Sequence, residues 1–377
     1  MQAHTRLWTV ASGWDIPASP VPPGATLILA FGGGAALLQP GALRQLEEQY
    51  VGAVIAAAST AGEILGESVI DDSIVALVIY FATTRVRAAV VAIGDAESSD
   101  AIAARLAAEI ELEGLAHVLV LSDGLLVNGS ALARGLADRL PEGVAVTGGL
   151  AADGDRFERT YVGLGSDVSV GGVVAVALYG ASLRVGFGSV GGWDSFGPER
   201  VVSRSAGNVL HTLDGEPALT VYKRYLGHAA ADLPASALLF PLALSRDDGL
   251  PPVVRTILGI DEATGTMTFA GDVPQGAGVR LMRANFDRLI DGAELAASSA
   301  RAHLTVPASV AILVSCVGRR LVLKQRIEDE IDGVRRVLGP APVIAGFYSY
   351  GEITPVAPGE HCELHNQTMT ITTLAEV

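Results

Sequence analysis

Two glutamates stand in matching settings almost a whole chain apart: Glu63 in Ser59-Thr60-Ala61-Gly62-Glu63-Ile64, and Glu352 in Tyr348-Ser349-Tyr350-Gly351-Glu352-Ile353. Each follows an apolar, strand-like run, residues 51–58 and 342–347. A glycine turn ending in a carboxylate gathers backbone amides and one charge at a strand's end, where binding sites are often built. Around the second copy, alternation along an extended segment puts Tyr348 and Tyr350 on one face and Phe347 and Ser349 on the other. One pair can then pack in the core while the other lines a cleft. Glu63 supplies the mirror-related position. Aromatics with one or two carboxylates and arginines such as Arg156, Arg159 or Arg319 suit an amino acid or a related small polar ligand.

Other residue groups offer chemistry that their surroundings weaken. Cys316 ends an apolar run beside Gly318-Arg319-Arg320, where two cations would favour a thiolate nucleophile; the alternative is a small buried residue at a strand end. Gly186-Phe187-Gly188-Ser189-Val190-Gly191 fits the dinucleotide pattern, but Gly192-Trp193-Asp194-Ser195-Phe196-Gly197-Pro198 cannot open the required helix, and a loop is expected. Phe31-Gly32-Gly33-Gly34-Ala35 lacks the Lys-Ser/Thr of a phosphate loop and reads as a tight turn. Asp153, Asp155 and Glu158 lack calcium-loop spacing and read as turn formers with a polar rim. His361 and His365 follow Pro358-Gly359 and precede Thr368-Met369-Thr370-Ile371-Thr372, an extended pattern. In a strand they would stand ~13 Å apart, too far for one ion.

The elements that would carry these groups alternate. Strands are expected at 25–31, 51–58 and 117–121, with helices at 42–50, 98–113 and 129–140. Residues 73–83 and 86–93 read as a hairpin, and 160–165, 172–179 and 182–188 as antiparallel strands. Further on come strands near 237–244 and 252–260, turns at Gly265 and Gly271, a helix over 283–301, a strand over 309–316, a helix over 321–338, and strands at 343–347 and 366–372. This predicts an α/β (α+β) protein of two related mixed-sheet modules with flanking helices, internally duplicated. The expected division is an arm over 1–24, Pro- and Ser-rich at 16–24 and holding His4, then domains over 25–220 and 221–377.

The chain has 377 residues, half of them apolar, 44 of them glycine, with a net charge of −15 and a pI near 4.9. That balance argues against nucleic acid or an anionic membrane as a partner. Neither a leader pattern nor an uninterrupted apolar run of ~18 residues is present, and a cytoplasmic protein is expected. Two cysteines are too few for a disulfide framework.

Several long motifs, in order, carry a resemblance. Residues 148–162 (Gly148-Gly149-Leu150-Ala151-Ala152-Asp153-Gly154 onward), 215–227 (Gly215-Glu216-Pro217 to Tyr225-Leu226-Gly227), Ser315-Cys316-Val317-Gly318-Arg319-Arg320, residues 346–353 and Leu364-His365-Asn366-Gln367-Thr368 resemble the FIST sensory proteins. The resemblance runs from about residue 25 to the end. It implies a bacterial sensor that binds a small ligand and informs a signalling partner, without catalysis. Many such sensors are fused to an output module; here the two FIST parts fill the chain, so the output is expected on another protein.

Some stand-alone members bind haem through a histidine, respond to nitric oxide and regulate a histidine kinase in a two-component system. The resemblance therefore implies haem b as a cofactor, with His228 or His365 as axial ligand in an apolar pocket. His228 follows Tyr225-Leu226-Gly227 near the junction of the two parts; the alternative is that it ends the preceding helix. His365 lies within a family motif. The candidate ligand residues are His228, His365, Tyr348, Tyr350, Glu352, Glu63 and Arg156. Three readings follow: a haem-based nitric oxide sensor, a sensor of amino acids or other small metabolites, and a Cys316-dependent enzyme. Expected partners are the ligand, a kinase and, in a homo-oligomer, a second copy of the chain.

Overall fold

The computed structural model describes residues 1–15, 26–94, 97–233, 235–246, 251–357 and 359–377. Three stretches of chain share a framework of a first strand, two strands joined through helix, a short hairpin and a last strand. The first holds β1 (Gln2–Thr9), β2 (Gly13–Trp14), β3 (Leu27–Gly32), α1 (Gly34–Leu37), α2 (Ala42–Gln49), β4 (Val54–Ser59), β5 (Glu63–Leu65), β6 (Ser68–Ile70) and β7 (Ser73–Tyr80). The second holds β8 (Arg85–Ala92), α3 (Ser99–Ala108), β9 (Leu115–Ser122), α4 (Gly129–Ala137), β10 (Ala145–Leu150), β11 (Val162–Leu164), β12 (Asp167–Ser169) and β13 (Gly172–Tyr179).

The third begins with β14 (Leu183–Val190) and is interrupted by an insertion. The insertion comprises β15 (Asp194–Ala206), β16 (Val209–Leu213), β17 (Glu216–Pro217), α5 (Ala218–Leu226), β18 (Leu242–Leu244), β19 (Val253–Arg255), β20 (Ile257–Asp261), β21 (Thr266–Phe269) and β22 (Gly278–Arg283). The unit resumes with α6 (Phe286–Ala302), β23 (Val310–Cys316), α7 (Val317–Leu323), α8 (Ile327–Leu338), β24 (Val343–Ser349), β25 (Gly351–Pro355), β26 (Cys362–His365) and β27 (Met369–Glu376).

Each unit builds one mixed sheet, and each gives its short hairpin away. The three sheets run β12-β11-β4-β3-β7-β1-β2, β26-β25-β10-β9-β13-β8 and β6-β5-β24-β23-β27-β14. In every one a parallel pair (β3 with β4, β9 with β10, β23 with β24) is flanked by an antiparallel strand and by the hairpin of another unit. Hairpin β5–β6 leaves unit one for the sheet of unit three. Likewise β11–β12 passes from two to one, and β25–β26 from three to two. The expected duplication is thus a triplication: residues 150–153 stand where 59–62 and 348–351 do, and a longer loop then leads to Val162 of β11.

Three backbone hydrogen bonds close the cycle where the hairpins cross: Ala61 N to Tyr348 O (2.8 Å), Tyr350 N to Leu150 O (3.3 Å) and Ala152 N to Ser59 O (2.9 Å). Strand alternation explains the packing. Leu27, Leu29 and Phe31 of β3 point into a core shared by all three sheets, where Phe31 stacks on Phe347 with ring centroids 4.7 Å apart. Ile28 and Ala30 point the other way, into a core with α1 and α2. Fully apolar strands of this kind are what a sheet covered on both faces requires. Helix starts are set locally: Ser98, Asn128 and Asn285 accept the N–H groups of Ala101, Ala131 and Arg288. The insertion has its own sheet, β19-β18-β22-β15-β16-β21-β20 with β17 on β16, and its own core.

Several expectations need correction. Within the first fifteen residues β1 and β2 form a hairpin on the sheet of unit one: His4 lies on β1 with its ring stacked on Tyr80, and the remainder of the expected arm, 16–24, lies outside the described residues. Residues 73–83 and 86–93 form no hairpin, because β7 and β8 belong to different sheets. Strands β11, β13 and β14 likewise separate into three sheets. Residues 186–190 are strand β14, not loop; Cβ atoms at Gly186 and Gly188 would meet the Ala300 and Ala296 carbonyls of α6, so only glycine lets the helix lie this close. The helix expected over 321–338 breaks at Lys324 into α7 and α8.

Candidate functional site

The cleft beside the first Gly-Glu turn is built by all three units. Thr60, Ala61, Gly62 and Glu63 come from the β4–β5 crossing, Asp71 and Asp72 from the turn before β7, Gly154 to Arg156 from the loop after β10, and Val317, Arg320 and Leu321 from α7. Its volume is about 250 Å³, below the roughly 300–1,000 Å³ of pockets for drug-sized ligands.

Glu63 forms its buried wall. One carboxylate oxygen accepts the Thr60 hydroxyl, and the other accepts the Ser73 hydroxyl (2.7 Å) and N–H (3.3 Å). Burial outweighs those donors and pushes the carboxyl up to about 7. Arg320 forms the opposite rim, donating to both Asp71 oxygens (2.7 and 2.6 Å) and to the Ala61 carbonyl. Gly62 makes this possible: its φ is 127°, and a Cβ there would overlap the Arg320 guanidinium. Arg156 reaches outward, 59% exposed, its Nε 4.0 Å from Asp153. Cations and carboxylates thus face one small polar space.

Of the residues expected at the site, the structure brings Glu63 and Arg156 together on this cleft. The two tyrosines stand behind it on separate errands, which corrects the expectation that one pair lines a cleft. Tyr348 is fully buried and donates to Glu330 (2.8 Å), which also accepts Ser315 Oγ (3.1 Å) and Arg319 Nε and Nη2 (3.0 and 2.7 Å). Tyr350 donates to Asp153 and stacks on Phe157 with centroids 4.5 Å apart. Asp153 in turn caps the N–H groups of Phe157, Glu158 and Arg159, so this tyrosine fixes the loop that presents Arg156. Strand β24 ends at Ser349, so alternation stops between the tyrosines.

Glu352 repeats the anchoring of Glu63 with Ser349 (2.6 Å) and Thr368 (hydroxyl 2.8 Å, N–H 3.2 Å), fully enclosed and pushed up to about 8 by burial. In the third copy Val162 replaces the glutamate, facing Ala58 as Glu63 faces Phe347 and Glu352 faces Gly149. There Asp123 supplies the carboxylate instead, accepting the Gly171 N–H at 2.9 Å. Sequence reasoning missed Asp71, Asp72 and Arg320 as site residues; only the Asp71-Asp72 pair, beside a turn, offered a signal.

The histidines proposed as haem ligands do not fit that group. His228 is exposed on the turn of residues 227–232 and lines neither the Glu63 cleft nor the cleft beside α4. His365 is 12% exposed, with Nε2 3.1 Å from the Thr354 carbonyl oxygen. His365 likewise lines neither of those clefts. The described residues hold no group of three or more His, Cys, Asp or Glu side chains placed to bind a metal. The Cys316 nucleophile also fails: burial, with Glu352 nearby, pushes its thiol up, and Arg319 and Arg320 are engaged by Glu330 and Asp71.

A family model for the FIST N domain matches residues 26–216, and one for the FIST C domain matches 218–355. Two uncharacterized proteins of Mycobacterium tuberculosis, from strains CDC 1551 / Oshkosh and H37Rv, are each 28% identical over 261 residues, 67% of this chain and 66% of theirs. The match spans just under two thirds of the relatives' length. No helix among the described residues is long and apolar enough to cross a membrane.

Proposed function

Since the chain belongs to the FIST family, whose domains are sensors in signal transduction, we propose that it senses a small dipolar metabolite in the Glu63–Arg156–Arg320 cleft. An amino acid is the best chemical fit. The observation that carries this reading is the meeting of three units at one small space with carboxylates and two guanidiniums on its walls. Arg156, reaching out from its loop, receives the ligand's carboxylate; Asp71, Asp72 and Asp155 draw its ammonium group. A ligand held there bridges three units and so favours one arrangement of the hairpin crossings, which a cytoplasmic partner such as a histidine kinase reads. The role is recognition without chemistry.

Thermal unfolding of the whole chain against a panel of amino acids tests this, because a ligand of the native state raises the midpoint. At least one should do so, and Arg156→Ala should remove the shift. A panel that leaves the midpoint unmoved removes the proposal. Absorbance after incubation with haem tests the competing haem and nitric oxide reading; a histidine-ligated spectrum lost in His365→Ala or His228→Ala would favour it instead.

A further inference from the structure

We propose a second ligand site, independent of the first: the cleft between α4, the insertion and β26 binds the oxyanion group, carboxylate or phosphate, of a small metabolite, with Arg255 as its receptor. This cavity, about 470 Å³, is the larger of the two clefts.

Among the described residues, three arginines are buried to less than a tenth of their surface: Arg6, Arg319 and Arg255. Arg6 is paired with Asp15 at 2.6 Å and Arg319 with Glu330 at 2.7 Å. Arg255, 7% exposed, has no ion pair among the described residues. Its Nε donates to the Asp272 carbonyl (3.1 Å) and Nη1 to the carbonyls of Leu364 (2.9 Å) and Val254 (3.4 Å). Nη2 has no partner among the described residues. Burial draws the guanidinium down to about 10, outweighing the opposing pull of the Glu363 and Asp272 carboxylates nearby, neither of which pairs with it directly. Burying a charge in this way is costly unless something pairs with it.

The fork is also held still. Gly271 packs on it so tightly that a Cβ would lie 2.9 Å from Nε and 2.7 Å from Ser130 Oγ. With Nε and Nη1 committed to carbonyls, Nη2 is the donor left over at the wall of the cleft, a charged N–H group that a carboxylate or phosphate oxygen can accept. The neighbouring cations are engaged: Arg246 lies 2.6 and 2.8 Å from the Glu363 oxygens, and Arg134 lies 3.5 Å from Asp272. The cleft follows α4 from Ser130 to Asp138, about 12 Å of helix, and its far end carries Asp138 and Glu360. That end favours a ligand whose second group is a cation or a hydroxyl.

Calorimetric titration of the whole chain with inorganic phosphate and with succinate, each against chloride at matched ionic strength, tests the site. One or both should bind, and Arg255→Gln should weaken binding by at least about tenfold. Phosphate alone would identify a phosphorylated ligand, and succinate alone a carboxylic acid. Binding of neither, or equal binding by the Arg255→Gln variant, overturns the proposal. A response abolished by Arg156→Ala but kept by Arg255→Gln belongs to the other cleft and overturns it too. Should Arg255→Gln fail to fold, Ala137→Trp, which fills the cleft without touching Arg255, must abolish binding; unchanged binding rejects the site.

Discussion

Glu63 and Glu352 are anchored by the same donor set at the roots of two different hairpins. Each accepts the hydroxyl three residues upstream, Thr60 or Ser349, and both the hydroxyl and the N–H of a residue at the start of its unit's last strand, Ser73 opening β7 or Thr368 just before β27. Each carboxyl is therefore a pin between a hairpin that leaves its unit and the strand that stays.

These pins carry a pH signature. Burial raises both carboxyls, to about 7 and about 8, above their unfolded value of 4.5. The folded state then binds protons more tightly, so their contribution is fully present below the unfolded value and is lost as pH rises through the folded ones. Stability should fall between about pH 5 and pH 8. In Glu63→Gln/Glu352→Gln the amide oxygen can face the Ser73 and Thr368 donors, while its nitrogen donates to the Thr60 and Ser349 hydroxyls. Urea midpoints across that range should vary less than in the parent, and an unchanged slope would refute the assignment.

Arg319→Met should cost ~3–5 kcal/mol, because it leaves Glu330 buried without its cation. Arg319→Met/Glu330→Gln should recover part of that loss, since the remaining amide can still pair with Ser315 and Tyr348. Chemical denaturation of both variants checks the order; a double variant no more stable than the single would contradict it.

Tyr350→Phe removes the hydroxyl that Asp153 accepts, at ~1–2 kcal/mol, and loosens the loop bearing Arg156 and Arg159. Limited trypsin digestion should cut there faster than in the parent. Equal cleavage rates would mean that Phe157 stacking alone holds the loop.

Gly62→Ala should displace Arg320 from Asp71 and impose a backbone conformation costing ~1–3 kcal/mol. Metabolite-induced stabilisation should vanish together with the stability loss. A variant that keeps full ligand response would show that Arg320 plays no part in the cleft.

Most element positions were legible, because strands with both faces covered read as apolar runs and the helices between them as amphipathic stretches. Strand partners were not. β7 and β8 adjoin in sequence and look like a hairpin, yet the exchange of hairpins among units sends them to different sheets. The third copy of the repeated phrase was hidden because Val162 replaces the glutamate and Asp123, from another strand, takes over the charge. Glu63 and Arg156 could be named from their motifs. Their neighbour Arg320 could not, because its partner Asp71 lies far away in the chain.

The cyclic exchange of hairpins also governs how the molecule can be made. The sheet of unit two receives its β25–β26 edge from residues 351–365, and Glu376 accepts the N–H groups of Ala82, Thr83 and Thr84 at the turn that joins units one and two. A growing polypeptide emerging from the ribosome therefore holds the sheet of unit two incomplete until residues 351–365 have appeared. Unit two cannot close before unit three has been made, and removal of residues 351–376 should damage the second unit as severely as the region removed.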